Sequence, residues 1–203
     1  MRRLPDWLLG GAVVAPAAAL WLPWVWHRAA ALVLAGLDLP EFVRFMGEVN
    51  RGEVLVYPIA FWLPLIVLAL ADAAAAALRK LPFWSSVVAL AAAIWLLSVA
   101  FPPRERGPQL LASALVLAAC HGVLRMWRPR AWVQVLCLGF MAGTGAVCPL
   151  AQFWVLTPSL SRLYGRSVIP GAGVYLAATG PVLAALGIIT WAVSRKGELR
   201  GRR

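Results

Sequence analysis

A chain of 203 residues with 62% hydrophobic and 13% charged residues and a mean hydropathy of +0.80 does not have the composition of a soluble domain. Soluble domains carry roughly a quarter charged residues, so most of this surface must be hidden in lipid. The net charge of +11 does not indicate nucleic-acid binding, because the basic residues form short clusters between apolar runs and at the chain ends rather than a groove. The composition predicts an all-α fold, a polytopic bundle of transmembrane helices.

The first apolar run follows Arg2 and Arg3 and predicts a membrane span over residues 7–26. A cleaved signal peptide is the alternative, since the small residues around Ala17 resemble a cleavage site. The run continues past that site to Trp26, which favours an uncleaved helix with tryptophans in an interfacial belt.

The stretch 38–50 is an extended run that mixes charged and apolar residues. Asp38 and Glu41 have the spacing of a capping box, and Phe42 and Met46 fall on one side at helical spacing. The pattern predicts a short amphipathic helix lying on the outer membrane face between spans one and two. An ordinary charged loop is the alternative interpretation.

Five further apolar runs complete a prediction of about six spans. A loop over residues 157–171, which contains Ser159, Arg162 and Tyr164, is predicted to separate the last two. The spans predicted after the first cover residues 54–78, 83–101, 109–124, 131–156 and 172–194.

An even number of spans places both termini on the same side of the membrane. With the termini inside, 12 of the 19 lysines and arginines lie at the inner ends of the spans, where such residues are retained on the cytoplasmic side. We therefore predict a multi-pass protein of the bacterial cytoplasmic (inner) membrane, with the lipid bilayer as its first partner and both termini cytoplasmic.

Asp72 is the only acid within a predicted span, and an ionisable group there is costly enough to mark a candidate functional residue. Counted from the helix ends, Cys120, His121 and Cys137 lie at a similar depth. Carboxylate, thiolate and imidazole are all possible metal ligands. These four residues therefore form a candidate intramembrane polar site.

A salt bridge from Asp72 to Arg79 or Arg125 is the simpler interpretation of the same residues. Cys120 and His121 are adjacent and point about 100° apart on a helix, which prevents both from facing one centre without strain. The other histidine, His27, is predicted at the opposite membrane face, so two axial ligands for one haem are disfavoured. We predict no metal and no cofactor.

Small residues in the last two spans form two patterns. Gly139 and Gly143 make a GxxxG pair, and a second stripe recurs at spacings of three and four; its members are Gly173, Ala177, Gly180, Ala184 and Gly187. Such stripes let helix backbones approach closely. They predict that spans five and six pack on each other, and the sharper hypothesis is a seam for a partner subunit or for self-association.

The sequence carries no Walker A, GxSxG, HExxH, CxxC or dinucleotide-binding motif. The leading hypothesis is therefore a non-enzymatic integral subunit of a larger membrane complex, for example beside a transporter permease and its ATPase. A small-solute or ion transporter, acting alone or as a homo-oligomer, is the alternative, and a membrane redox or metal protein is the third hypothesis.

Overall fold

The computed structural model describes residues 4–27, 32–78, 83–98, 106–126 and 129–200, and within these ranges the fold is all-α with one small sheet. The helices are α1 Leu4–Ala19, α2 Leu39–Arg44, α3 Gly47–Asn50, α4 Leu63–Leu78, α5 Phe83–Ser98, α6 Arg106–Met126, α7 Ala131–Tyr164 and α8 Ala172–Arg200. A 3₁₀ helix, Pro58–Trp62, precedes α4. The strands are β1 Pro23–His27, β2 Leu32–Ala35 and β3 Ile169–Pro170.

The predicted helical membrane architecture is confirmed in its coarser form. Four stretches of the described chain are long and apolar enough to cross a membrane: Pro58–Leu78, Gly107–Met126, Ala131–Tyr164 and Ala172–Arg195. The apolar helices Leu4–Ala19 and Ser85–Trp95 are shorter. Sixteen residues, the length of α1, rise about 24 Å, less than the roughly 30 Å of a hydrocarbon core.

The chain divides into two compact units. The first unit comprises Met1–Pro64 and Gly139–Arg203, and the second comprises Leu65–Leu138. In the first unit α1 packs along α8. In the second unit α4, α5 and α6 share a core formed by Ala69, Ala73, Ala93, Leu97 and Leu117.

The prediction of a first helix over residues 7–26 is wrong at its C-terminal end, because α1 ends at Ala19. The next three amides donate to carbonyls three residues earlier, a tight turn that closes the helix. Pro23 has no N–H with which to resume it, and the valine and tryptophans that follow favour extended backbone. Hydropathy alone did not distinguish an apolar strand from a continuing helix.

The sheet has β1 at its centre, antiparallel to β2 on one side and to β3 on the other. Val25 of β1 lies opposite Leu34, and both are buried. Trp26 lies between Val33 and Ile169, and all three are about half exposed. Alternation along the strands therefore gives the sheet one face in the core and one exposed apolar face.

The stretch predicted as one amphipathic helix over 38–50 forms two shorter helices, α2 and α3, separated where Met46 adopts an extended backbone (ψ 121°). Its apolar side does turn inward: Leu39 and Val43 are fully buried, and Met46 nearly so. The buried side thus packs within the first unit, whereas Phe45, at the break between the helices, is 84% exposed.

The predicted capping box of Asp38 with Glu41 is also wrong. Asp38 makes no side-chain cap to α2, and its Oδ2 instead accepts a hydrogen bond from the Ala35 amide at 3.1 Å. The carboxylate therefore closes the turn that follows β2, and Glu41 remains exposed in the first turn of α2. Asp and Ser side chains often take such local backbone partners in turns.

The predicted loop over residues 157–171 is helical in its first half, since α7 continues to Tyr164. The hydroxyls of Thr157 and Ser161 each donate to the carbonyl four residues earlier at 2.9 Å, which keeps them on the helix surface around Pro158. Gly165, with φ +66°, then ends the helix in the left-handed conformation that glycine adopts without strain.

Candidate functional site

Trp24 is the centre of the first unit's core. It is fully buried, and its indole Nε1–H donates to the Ala19 carbonyl at 2.8 Å. The rings of Phe61 and Phe153 meet it edge-on, with centroid distances of 6.2 and 5.6 Å. This aromatic cluster holds β1, the 3₁₀ helix and α7 together, and so positions the C-terminal turns of α7 beside α2 and α3.

A groove of about 350 Å³ lies between the α2–α3 segment and the end of α7. Its walls combine aromatic, aliphatic and charged side chains: Phe42, Phe45, Met46, Gly47, Glu48, Ser159, Arg162, Leu163 and Tyr164. Phe42 and Met46, predicted on the apolar side of the amphipathic helix, thus line one wall. The groove is a candidate binding site that brings together segments more than 100 residues apart.

At the charged end of the groove, the side chain of Glu48 lacks hydrogen-bond donors from the described part of the chain. Glu48 Oε1 lies 3.9 Å from Arg162 Nη1, which is an ion pair but too long for a hydrogen bond. Glu48 Oε2 is enclosed and accepts no hydrogen bond from the described residues. Enclosing an acceptor without a donor costs about 1–3 kcal/mol, and such groups in native proteins often serve a ligand or an ion.

The neighbouring carboxylate of Glu53 has a full partner. Arg51 donates to its two oxygens at 2.5 and 3.2 Å, the geometry of a bidentate pair. This hydrogen bond from Arg51 lowers the pKa of the exposed Glu53 carboxyl. Of these two acids beside the groove, Glu48 is therefore the one with unused acceptor capacity.

Asp72 lies half-buried on α4 in the second unit. It forms no hydrogen bond or ion pair with any described residue, and exposed Arg125 is not within ion-pair distance of it. Arg79, the other predicted partner, lies outside the described residues. A carboxyl group on an otherwise apolar helix thus has no partner in the part of the second unit that the structure describes.

His121 is buried against α4. Its Nδ1 lies 3.2 Å from the carbonyl oxygen of Ala73, the residue after Asp72, so α6 meets α4 at the level of the acid. Cys120 is half-buried and Cys137 is exposed. Within the described ranges no three histidine, cysteine or acidic side chains come together as a metal site.

The long glycine stripe lies mainly against α1. A Cβ on Gly180 would stand 2.5 Å from Pro16 Cγ, and one on Gly187 would stand 2.9 Å from Leu9 Cγ. Gly173 abuts the Trp24 ring in the same way. The stripe therefore serves close packing within the first unit, mainly against α1. Its predicted contact with the preceding span, α7, is the smaller of the two.

The GxxxG pair behaves differently at its two positions. Gly139 faces α8, where a Cβ would stand 2.5 Å from Cδ1 of Ile188. Gly143 has no side chain or distant backbone of the described chain within 4 Å of the place where a Cβ would be. Among the described residues, only the first of the two glycines makes a close contact with another helix.

Sequence reasoning did not find the pairing of Glu48 with Arg162, nor the central position of Trp24. Glu48 lies in the predicted amphipathic stretch and Arg162 in the predicted loop, but nothing local indicated that residues 114 positions apart would meet. The apolar side of the stretch that contains α2 was the one indication in the sequence of this pairing, because it implied that another element covers that side.

Comparison with protein-family models, with curated proteins and with solved structures finds no match for this chain. Its function is therefore inferred from the chemistry and placement of its own side chains.

Proposed function

We propose that this chain is a non-enzymatic integral subunit of a larger membrane complex, for example one accompanying a transporter permease and its ATPase. Asp72 is the observation that supports this proposal most directly. It lies on the apolar helix α4, it is only half-buried, and no described residue pairs with it. A basic or hydrogen-bonding residue from a partner chain would complete its environment.

The energetics favour a partner for this acid. An acidic residue costs roughly 2.5–3.5 kcal/mol at the centre of a spanning helix on insertion scales, and less at the position of Asp72, six residues before the end of α4; such residues are rare unless they pair or line a water-filled path. His121 does not take this role in the structure, since it forms no hydrogen bond with Asp72 and its Nδ1 lies against the Ala73 carbonyl. A partner subunit that supplies a donor would offset the cost and give the contact specificity.

Six apolar helices crossing the bacterial cytoplasmic membrane, with both termini inside, remain the proposed topology. The two short ones, α1 and α5, would reach both interfaces with the help of their flanking residues or of local bilayer thinning. This topology places α2 and α3 outside.

A reporter inserted at Gly52, an exposed turn residue with φ +73°, tests that orientation. We expect alkaline phosphatase to be active there and a green fluorescent protein at Arg203 to be fluorescent, because the two positions lie on opposite sides. An inactive phosphatase at Gly52 together with fluorescence at Arg203 would contradict the proposed topology.

A small-solute or ion transporter is the second candidate. It is favoured by Asp72, which no described residue pairs with, and by prolines inside two spanning helices, Pro149 in α7 and Pro181 in α8. Prolines free backbone carbonyls that can bind cations or permit helix bending. In this case Asp72 would bind the transported or coupling cation rather than a partner subunit.

Replacing Asp72 with Asn separates the two candidates, because the substitution keeps the shape and removes the charge. The complex is purified from native membranes in mild detergent and weighed by native mass spectrometry. If the chain is a subunit, we expect Asp72→Asn to weaken the affinity for the partner by at least about tenfold, which is about 1.4 kcal/mol of binding free energy. Asp6→Asn, which removes an exposed acid from the first turn of α1, is the control and should retain it.

For a transporter, wild-type chain reconstituted alone in vesicles would support flux, and Asp72→Asn would abolish that flux without changing the mass of the purified species. A wild-type chain that stays monomeric in native membranes, with no flux in vesicles, would contradict both candidates.

A further inference from the structure

The groove between the α2–α3 segment and the end of α7 lies at an end of the first unit where the backbone is irregular. The three-stranded sheet at this end has open edges, and unpaired strand groups are not tolerated against hydrocarbon. Exposed Trp21, Trp26 and Tyr57 belong to the residue types that concentrate at the membrane interface. This end of the unit, and the groove with it, therefore lies at the level of the lipid headgroups.

The length of α7 agrees with this depth. Its 34 residues span about 51 Å, and even at a tilt of 40° they extend about 39 Å along the membrane normal, beyond a core of roughly 30 Å. Its last turns carry Ser159, Ser161 and Arg162, and Arg162 is the one charged residue of the helix. The polar C-terminal turn is therefore the part that leaves the hydrocarbon.

The size and lining of the groove suit an amphiphile. A volume of about 350 Å³ falls at the lower end of small-molecule sites. Phe42, Met46 and Leu163 give it an apolar wall, and Leu163 is 60% exposed, so this wall continues to the outside of the unit. A headgroup and the first part of an acyl chain would fill this space.

The Glu48 carboxylate can accept hydrogen bonds from a ligand in the groove. Its enclosed Oε2 has no donor among the described residues, and Oε1 has only Arg162 at 3.9 Å. Rotation about the last torsion of a glutamate is soft, so either oxygen can turn toward the groove. A ligand ammonium would supply both the positive charge and the N–H groups that this carboxylate lacks.

The Arg162 guanidinium can bind an anionic group of the same ligand. Its side chain is 75% exposed, and within the described chain it donates no hydrogen bond. A guanidinium presents a fork of N–H donors that matches the oxygens of a phosphate. Arg162 and Glu48 lie side by side, and both can form further hydrogen bonds. Together they are complementary to a ligand that carries an anionic group next to a cationic one.

We propose that this groove binds a phospholipid of the phosphatidylethanolamine class, with its ammonium at Glu48, its phosphate at Arg162 and the start of an acyl chain along Phe42 and Leu163. The pairing follows the chemistry of that headgroup, in which a primary ammonium is joined to a phosphodiester by two carbons. A phosphatidylcholine has the same charges but no N–H to donate, and a phosphatidylglycerol has no cation.

Native mass spectrometry of the full-length protein, titrated with the three phospholipid classes carrying identical acyl chains, tests the proposal. We expect phosphatidylethanolamine to bind at least about tenfold more tightly than phosphatidylcholine or phosphatidylglycerol, the effect of one charge-assisted hydrogen bond. On the wild-type protein, affinity should fall with successive N-methylation of the headgroup, because each methyl group removes a donor.

The variants separate the two ends of the headgroup. Glu48→Gln should reduce phosphatidylethanolamine binding by about tenfold, to the level of phosphatidylcholine, whereas Arg162→Gln should weaken all phospholipids because they share the phosphate. Glu41→Gln is the matched control, because Glu41 is exposed on α2 and does not line the groove, and its binding should stay within twofold of wild type.

Equal wild-type affinity for the three lipids, an unchanged affinity through the N-methylation series, or a preference that survives Glu48→Gln would overturn the proposal. Competition by water-soluble glycerophosphoethanolamine at equal concentration would overturn the lipid assignment, because it would show that the acyl chain contributes nothing. The methylation series uses unmodified protein, so its result stands even if a variant fails to fold.

Discussion

Replacing Trp24 with Ala is expected to destabilise the protein by about 3–5 kcal/mol, the usual range for removing a buried tryptophan. The side chain is fully buried, it contacts Phe61 and Phe153 edge-on, and its Nε1–H satisfies the Ala19 carbonyl at 2.8 Å. A loss of that size is a large part of a typical stability of 5–15 kcal/mol. The midpoint of thermal unfolding in detergent should fall by roughly 6–20 °C.

Two further variants show whether the loss comes from packing or from the hydrogen bond. Trp24→Phe keeps an aromatic ring and removes the Nε1–H; the Ala19 carbonyl still accepts from the Leu22 amide, so the loss should be only about 1 kcal/mol. Trp26→Ala, at a half-exposed position on the next residue, should cost less than about 1 kcal/mol. Similar midpoints for Trp24→Ala and Trp26→Ala would contradict the central position of Trp24.

Much of the fold follows from hydropathy, because long apolar runs have few alternatives to a membrane helix. The predicted runs overlap α4, α5, α6, α7 and α8, but the run over 54–78 begins nine residues before α4, and α7 continues eight residues beyond 156. The errors fall at the ends, where hydropathy is uninformative. Pro23, which has no N–H, follows the early end of the first helix, whereas α7 continues through Pro158 to Tyr164.

The candidate sites show the same division between local and long-range information. Asp72 was recognisable from the sequence because an acid in an apolar run is anomalous wherever the helix packs. The groove was not, because it depends on Glu48 meeting Arg162 across the fold. The glycine stripe was identified as a packing surface, but its main partner, α1, was not, since a repeat of small residues does not specify which helix it receives.

The close contact of α8 with α1 gives a second large expected effect. A Cβ at Gly180 would stand 2.5 Å from Pro16 Cγ and 3.2 Å from the Ala12 carbonyl oxygen. Neither can move freely, because one belongs to a proline ring inside α1 and the other to its backbone. Gly180→Ala should therefore separate the two helices and destabilise the protein by about 1–3 kcal/mol, measured by thermal unfolding in detergent.

Gly143→Ala is the matched control for this substitution, because it makes the same chemical change in the middle of a helix. A Cβ at Gly143 meets nothing in the described chain within 4 Å, so only the helix preference of alanine over glycine remains, a gain of up to about 1 kcal/mol. The two unfolding midpoints should therefore move in opposite directions. If both variants were as stable as the wild type, the packing of α8 on α1 through Gly180 would be wrong. A loss at Gly143 instead would indicate that its open side is covered by another chain, as the proposed subunit role allows.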